Sequence, residues 1–69
     1  MIKTFQKIAP KIHESAFIAE NAVIIGDVEI GANASIWYNC VLRGDVNFIR
    51  IGDSTNIQDG TIIHVSRAA

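Results

Sequence analysis

Large aliphatic residues fall at Ile12, Ile18, Ile24, Ile30, Ile36 and Leu42, a strict interval of six residues. Six is not a multiple of the ~3.6-residue helical repeat, so a helix would soon carry this column off any one face. Hairpin strands would instead show longer alternating blocks split by turn signals. A second series, Ala16, Ala22, Val28, Ala34 and Cys40, follows the first five aliphatics at a distance of four residues. Both series are read as interior. An even separation keeps two side chains on one side of extended backbone only if the turn between them preserves that parity. The pattern therefore predicts a short strand, a tight corner and another short strand, repeated. Gly26-Asp27, Gly31-Ala32, Gly44-Asp45 and Gly52-Asp53 supply turn formers at or near the corners. Beyond Leu42 the series resumes at Ile51, Ile57 and Ile63, with Thr55 and Thr61 at the small inward position. That step of nine is one hexad plus three residues, which predicts an inserted loop within residues 43–50.

A period of six with this pairing resembles the hexapeptide-repeat proteins, in which three hexads make one triangular coil of a left-handed parallel β-helix. The resemblance implies the handedness, because connections between parallel strands are otherwise nearly always right-handed. It implies an all-β chain of about three coils, in which residues 18 apart, or 21 across the insertion, stack at the ~4.8 Å strand spacing. The expected organisation is a single incomplete domain over residues 1–69, with a lead-in over 1–11 and coils over 12–67. Stacking then sorts the residue after each aliphatic into three outward columns: His13, Gly31, Gly52; Ala19, Trp37, Gln58; and Ile25, Arg43, His64.

Composition narrows the function classes. A chain of 69 residues with 49% hydrophobic and 19% charged residues and a formal charge of −1 has the make-up of a globular domain. It offers no basic field for nucleic acid. A core of this size contributes only ~3–5 kcal/mol of net stability, so support from a partner, a metal or more chain is expected. No apolar run is long enough for a signal-peptide core or a membrane span. The lone Cys40 implies no oxidising compartment, and a cytoplasmic location is expected.

Outward polar residues are the candidates for chemistry. His64 is either a metal ligand or a solvated imidazole, and a metal site needs three or four ligands. Gln58 and Asp59 either orient a reacting group or form a plain corner. Arg43 and Asp45 either stabilise the loop or bridge to another subunit. Trp37, in an outward column, is of the type that anchors interfaces, with Ile25 and Phe48 expected outside as well. Cys40 is read as core filler.

The stretch "CVLRGDVNFIRIGDSTNIQDGTIIHV", Cys40 to Val65, resembles the signature region of the gamma-class carbonic anhydrases, and the similarity extends over residues 10–67. The ordered combination of RGD, I-x-IG, NIQDG and His is far more specific than any piece of it. The resemblance implies that His64 is the first of three histidines binding zinc or another divalent ion, and that Gln58 bonds the metal-bound water. It implies that Arg43 and Asp45 support trimer contacts beside the site, and that Asn56 and Asp59 are polar residues around it. The family reaction is reversible hydration of carbon dioxide to bicarbonate by metal-bound hydroxide. Active sites between subunits of a homotrimer are implied too.

This sequence departs from that pattern. No histidine follows His64, and Val46 and Val65 stand where one branch of the family has acidic proton shuttles. The expectation is a truncated and inactive gamma carbonic anhydrase-like chain, poorly soluble alone because its last coil is open. Two alternatives are a hexapeptide-repeat acyltransferase and a non-catalytic trimerising assembly module.

Overall fold

The computed structural model describes residues 1–66, and among these every regular element is a strand. Arg67, the last residue expected in the coils, lies outside the described residues. Chain order is β1 (Ile2–Lys3), β2 (Lys11–Ile12), β3 (Phe17–Ile18), β4 (Val23–Ile30), β5 (Ser35–Ile36), β6 (Val41–Ile51), β7 (Asn56–Ile57) and β8 (Ile62–His64). All their pairings are parallel.

These pairings define a three-sided prism. On side one, β1, the first part of β4, the first part of β6 and β8 stack in that order. Side two stacks β2, the second part of β4 and the second part of β6. Side three stacks β3, β5 and β7. The long strands β4 and β6 each run across two sides. In the lower coils Val23 pairs with Val41 and Phe17 with Ser35, 18 residues on. Above the insertion Ser35 pairs with Asn56 and Val41 with Ile62, 21 residues on.

The period of six explains the core. Ile24, Ile30, Ile36 and Leu42 are buried, together with Ala22, Val28, Ala34 and Cys40 from the small series. Ile12, Ile18, Ile51, Ile57 and Ile63 pack against this cluster but stay partly exposed, because end rungs have a neighbouring coil on one side only. Ala19, in an outward column, is nevertheless buried. It lies one rung below Trp37, and a methyl group beside an indole of that size is sheltered.

Corner chemistry differs from the glycine-led expectation. The residues with left-handed backbone at the corners are Asn33 (φ 59°), Asn39 (φ 62°) and Ser54 (φ 60°), besides Gly26 and Gly60. Gly31 and Gly52 stand two residues before Asn33 and Ser54. Asparagine tolerates this region because its short amide bonds locally, and here it also bonds between coils. The Asn39 N–H donates to Asn21 Oδ1 at 2.9 Å, while Asn21 Nδ2 donates to Asn39 Oδ1 at 2.7 Å. The Asn33 N–H likewise donates to Ser15 Oγ at 2.9 Å. Asn39→Ala should therefore lower stability by about 1–2 kcal/mol, from a strained φ and a lost side-chain bond. Urea unfolding checks this, with Asn39→Gly restoring only the backbone part.

The N-terminal residues close the bottom of the prism. The Met1 ammonium donates to the Ala22 carbonyl, and the Ile24 N–H donates to the Met1 carbonyl at 2.8 Å. A tight antiparallel turn then joins Phe5 to Ile8 through Gln6 and Lys7, both at positive φ.

Candidate functional site

The site begins with the register change. Gly26 pairs with Gly44, but the next pair is Val28 with Ile49. Asp27 alone therefore faces Asp45, Val46, Asn47 and Phe48, and the three surplus residues must leave the ladder. Their exit is stabilised locally: the Val46 N–H donates to Asp45 Oδ1 at 2.9 Å and the Phe48 N–H to Asn47 Oδ1 at 2.8 Å. Val46 and Phe48 point to solvent, at 47% and 55% exposure. A groove of about 260 Å³ separates this loop from the Phe5–Ile8 turn.

Asp45 is the hub of the face above. Arg43 and His64 are direct register partners on side one. The Asp45 carboxylate reaches both, with Oδ2 3.7 Å from Arg43 Nη1 and Oδ1 3.5 Å from His64 Nε2. These separations exceed those of good hydrogen bonds, and at this exposure such pairs contribute ~0–1 kcal/mol. The arrangement gathers a guanidinium, a carboxylate and an imidazole on one accessible surface, without locking them.

The other sequence candidates lie elsewhere. Asn56 and Trp37 meet on side three, where the indole Nε1–H donates to Asn56 Oδ1 at 2.6 Å. Trp37 is only half-buried, and its ring sits 5.0 Å from Phe17. Gln58 and Asp59 are exposed at the corner from side three to side one. The Gln58 backbone carbonyl is engaged, accepting from Thr61 Oγ1 at 2.7 Å and from Cys40 Sγ at 3.0 Å. One chain thus brings Arg43, Asp45 and His64 together, and places Gln58 on a different side of the prism. Sequence reasoning passed over Arg50. Its register pairing with Glu29, 21 residues away, was the signal that could have found it.

Whether these residues fit a metal follows from the donor set. Catalytic zinc takes three protein ligands and structural zinc four. Among the described residues no group of three or more His, Cys, Asp or Glu side chains converges. His64 has one carboxylate near it, His13 Nδ1 is engaged with Ser15, and Cys40 is buried. The described residues of one chain do not by themselves make a metal centre.

A prism of hexads with an outward polar face defines the class. The model of the family "Bacterial transferase hexapeptide (six repeats)" matches residues 9–44, and the chain belongs to that hexapeptide-repeat family. Its fold is the left-handed parallel β-helix of about three coils. Within the family, its similarity is to gamma carbonic anhydrases. It is 50% identical over 68 residues to "Gamma carbonic anhydrase 1, mitochondrial" of Arabidopsis thaliana, across 99% of this chain and 24% of that protein. It is 50% identical over 66 residues to the "Carbonic anhydrase" of Geobacillus kaustophilus, across 96% of this chain and 36% of that protein. A hexapeptide transferase family protein from Anaplasma phagocytophilum superposes with a TM-score of 0.88 at 56% identity, across 88% of this chain and 37% of that one. The chain therefore spans only about a quarter to a third of the length of these carbonic anhydrase relatives. Among the described residues no helix is long and apolar enough to cross a membrane.

Proposed function

We propose that this chain supplies the first coils of a gamma carbonic anhydrase-type scaffold, with His64 as one ligand to zinc or another divalent ion. The observation that carries the reading is the ordered signature from Arg43 to His64, whose first and last residues are register partners on one outward side. In this reading Arg43 and Asp45 support a subunit boundary, and Gln58, Asn56 and Asp59 are polar site residues that a neighbouring protomer brings near a His64. Trp37 is a boundary residue. The family reaction is lyase chemistry, the reversible hydration of carbon dioxide, in a homotrimer. Exposure of His64 and of Ile62, the latter 69% exposed, supports a covered role for side one. A cytoplasmic location belongs to the proposal.

Residues 1–69 alone hold too few donors for the chemistry, so the chain by itself is inactive. The test is titration of the purified chain with zinc and cobalt, followed by rapid-mixing measurement of carbon dioxide hydration. No stoichiometric site and no turnover above buffer are expected. Tight binding with turnover overturns the inactivity. In a longer protein containing these residues, His64→Ala should abolish metal retention, and unchanged metal content would remove His64 from the ligand set.

A second reading, acyl transfer, is favoured by the family model's description and by the name of the Anaplasma protein. Acyl transfer from an acyl-CoA distinguishes it. A purely assembling module is the third, recognised by a trimeric mass in solution that is indifferent to metal.

A further inference from the structure

We propose that Arg50 is a positioning residue for the His64 face, acting by fastening the surplus loop of residues 45–48 to the coil beneath it. The inference rests on reading the Arg43–Asp45–His64 surface as the functional one.

The insertion poses a mechanical problem. Residues 45–48 leave the ladder, so among the described residues their backbone has no register partner in the coil below, and Val46 and Phe48 are exposed. The two local side-chain bonds, Asp45 to Val46 and Asn47 to Phe48, join adjacent residues only. They shape the loop without attaching it to anything. Asp45 nevertheless has to stand between Arg43 and His64.

Arg50 is the described side chain that makes the attachment. Its Nε lies 2.7 Å from Glu29 Oε2, and its Nη1 lies 3.0 Å from Asp27 Oδ1. Nη1 also approaches the Asp27 and Ile49 carbonyls, at 3.3 and 3.0 Å. The guanidinium carbon sits 4.8 Å from the centroid of the Phe48 ring. One planar group therefore holds the coil below through Asp27 and Glu29, and the end of the loop through Phe48 and the Ile49 carbonyl. Asp27 is the single residue that the loop outnumbers, so the clamp closes where the ladder is broken. Any one exposed ion pair is weak; the planar fork of arginine serves several partners with one side-chain ordering, which lysine cannot match.

Asp45 follows Gly44, which pairs with Gly26, so its backbone starts from the ladder; where its carboxylate points depends on the path of residues 46–48, whose other end Arg50 fixes. With Arg50 removed, Asp45 leaves His64 while the hexads remain stacked. Two readouts by mass spectrometry separate this from general loosening. The first is limited chymotrypsin cleavage after Phe48, compared with cleavage after Tyr38 at a corner of the coil body. The second is carbethoxylation of His64, compared with that of His13, whose Nδ1 is occupied by Ser15.

In Arg50→Ala, cleavage after Phe48 should quicken roughly tenfold while cleavage after Tyr38 holds. His64 should be modified several-fold faster relative to His13, because Nε2 no longer faces a carboxylate. Arg50→Lys should recover part of both effects. If Arg50→Ala fails to fold, the double variant Asp27→Asn with Glu29→Gln leaves the arginine in place, removes both charged anchors, and should give the same pattern. The proposal is overturned if His64 modification is unchanged, if cleavage rises equally at both sites, or if neither lysine nor loss of the anchors makes a difference. None of these outcomes depends on metal or on carbon dioxide, so they stand apart from the fate of the carbonic anhydrase reading.

Discussion

Gly44→Ala should abolish the cooperative fold. A methyl group at residue 44 would stand 2.5 Å from the Asp27 carbonyl oxygen, 2.7 Å from its carbon and 3.0 Å from the Asp27 nitrogen. All three atoms are backbone, so no side chain can swing aside. The strands would have to separate at the point where Gly26 and Gly44 pair. A Cβ on Gly26 meets the same junction from below, 2.6 Å from the Gly44 carbonyl oxygen, with positive φ as a further penalty. Forced overpacking of this kind costs about 3 kcal/mol. That approaches the whole of the ~3–5 kcal/mol expected for a domain of this size. Gly52 is the control: its added Cβ would find only Thr55 Oγ1, at 3.7 Å, and its φ lies outside the left-handed range. Thermal unfolding followed by circular dichroism should show no transition for Gly44→Ala, and an unchanged or slightly raised midpoint for Gly52→Ala. A Gly44→Ala chain melting like the parent would refute the close approach of the two strands.

This glycine shows how far the sequence could be read. The period of six gave side-chain parity, and parity alone selects Ile24, Ile36 and Leu42 for the interior, where they are found. The step from Leu42 to Ile51 gave the change from 18- to 21-residue stacking, and with it the pairing of Arg43 with His64. Gly44 itself reads from sequence as a turn former, yet it lies inside β6 and is needed for space rather than for a turn. The difference is physical. A repeat specifies which way a side chain points, but not how closely two backbones approach across a broken register.

Polar contacts were hidden for a related reason. Asn21 with Asn39, Trp37 with Asn56 and Arg50 with Asp27 and Glu29 all join successive coils, 18 to 23 residues apart. Stacking brings the backbones together, whereas rotamers decide which polar groups meet. The corner asparagines could have been found by applying the 18-residue rule to turns as well as to strands. The donor set of the site was legible in part: one histidine and its register partner follow from the spacing. The separation of Gln58 from His64 was legible too, because the stacking rule sorts them into different outward columns and β7 and β8 lie on different sides.

Leu42→Ala should be the most damaging truncation in the core. Leu42 is fully buried, with Ile24 directly below and Ile63 directly above on side one. Coils on both sides hold the cavity walls apart, so the site cannot collapse and the cost falls in the range of roughly 2–5 kcal/mol. Against the net stability of so short a chain, that is enough to unfold most molecules at room temperature. Ile63→Ala removes a similar volume from the rung above, but Ile63 is only partly buried and has a packed neighbour on one face. It should cost distinctly less. Urea unfolding of the 69-residue chain gives the comparison, and equal losses from the two substitutions would contradict an open upper rung. The same pair tested in a longer protein reports on what lies above β8. If a further coil covers Ile63 there, its truncation cost should rise toward that of Leu42, because both side chains would then be held between rungs.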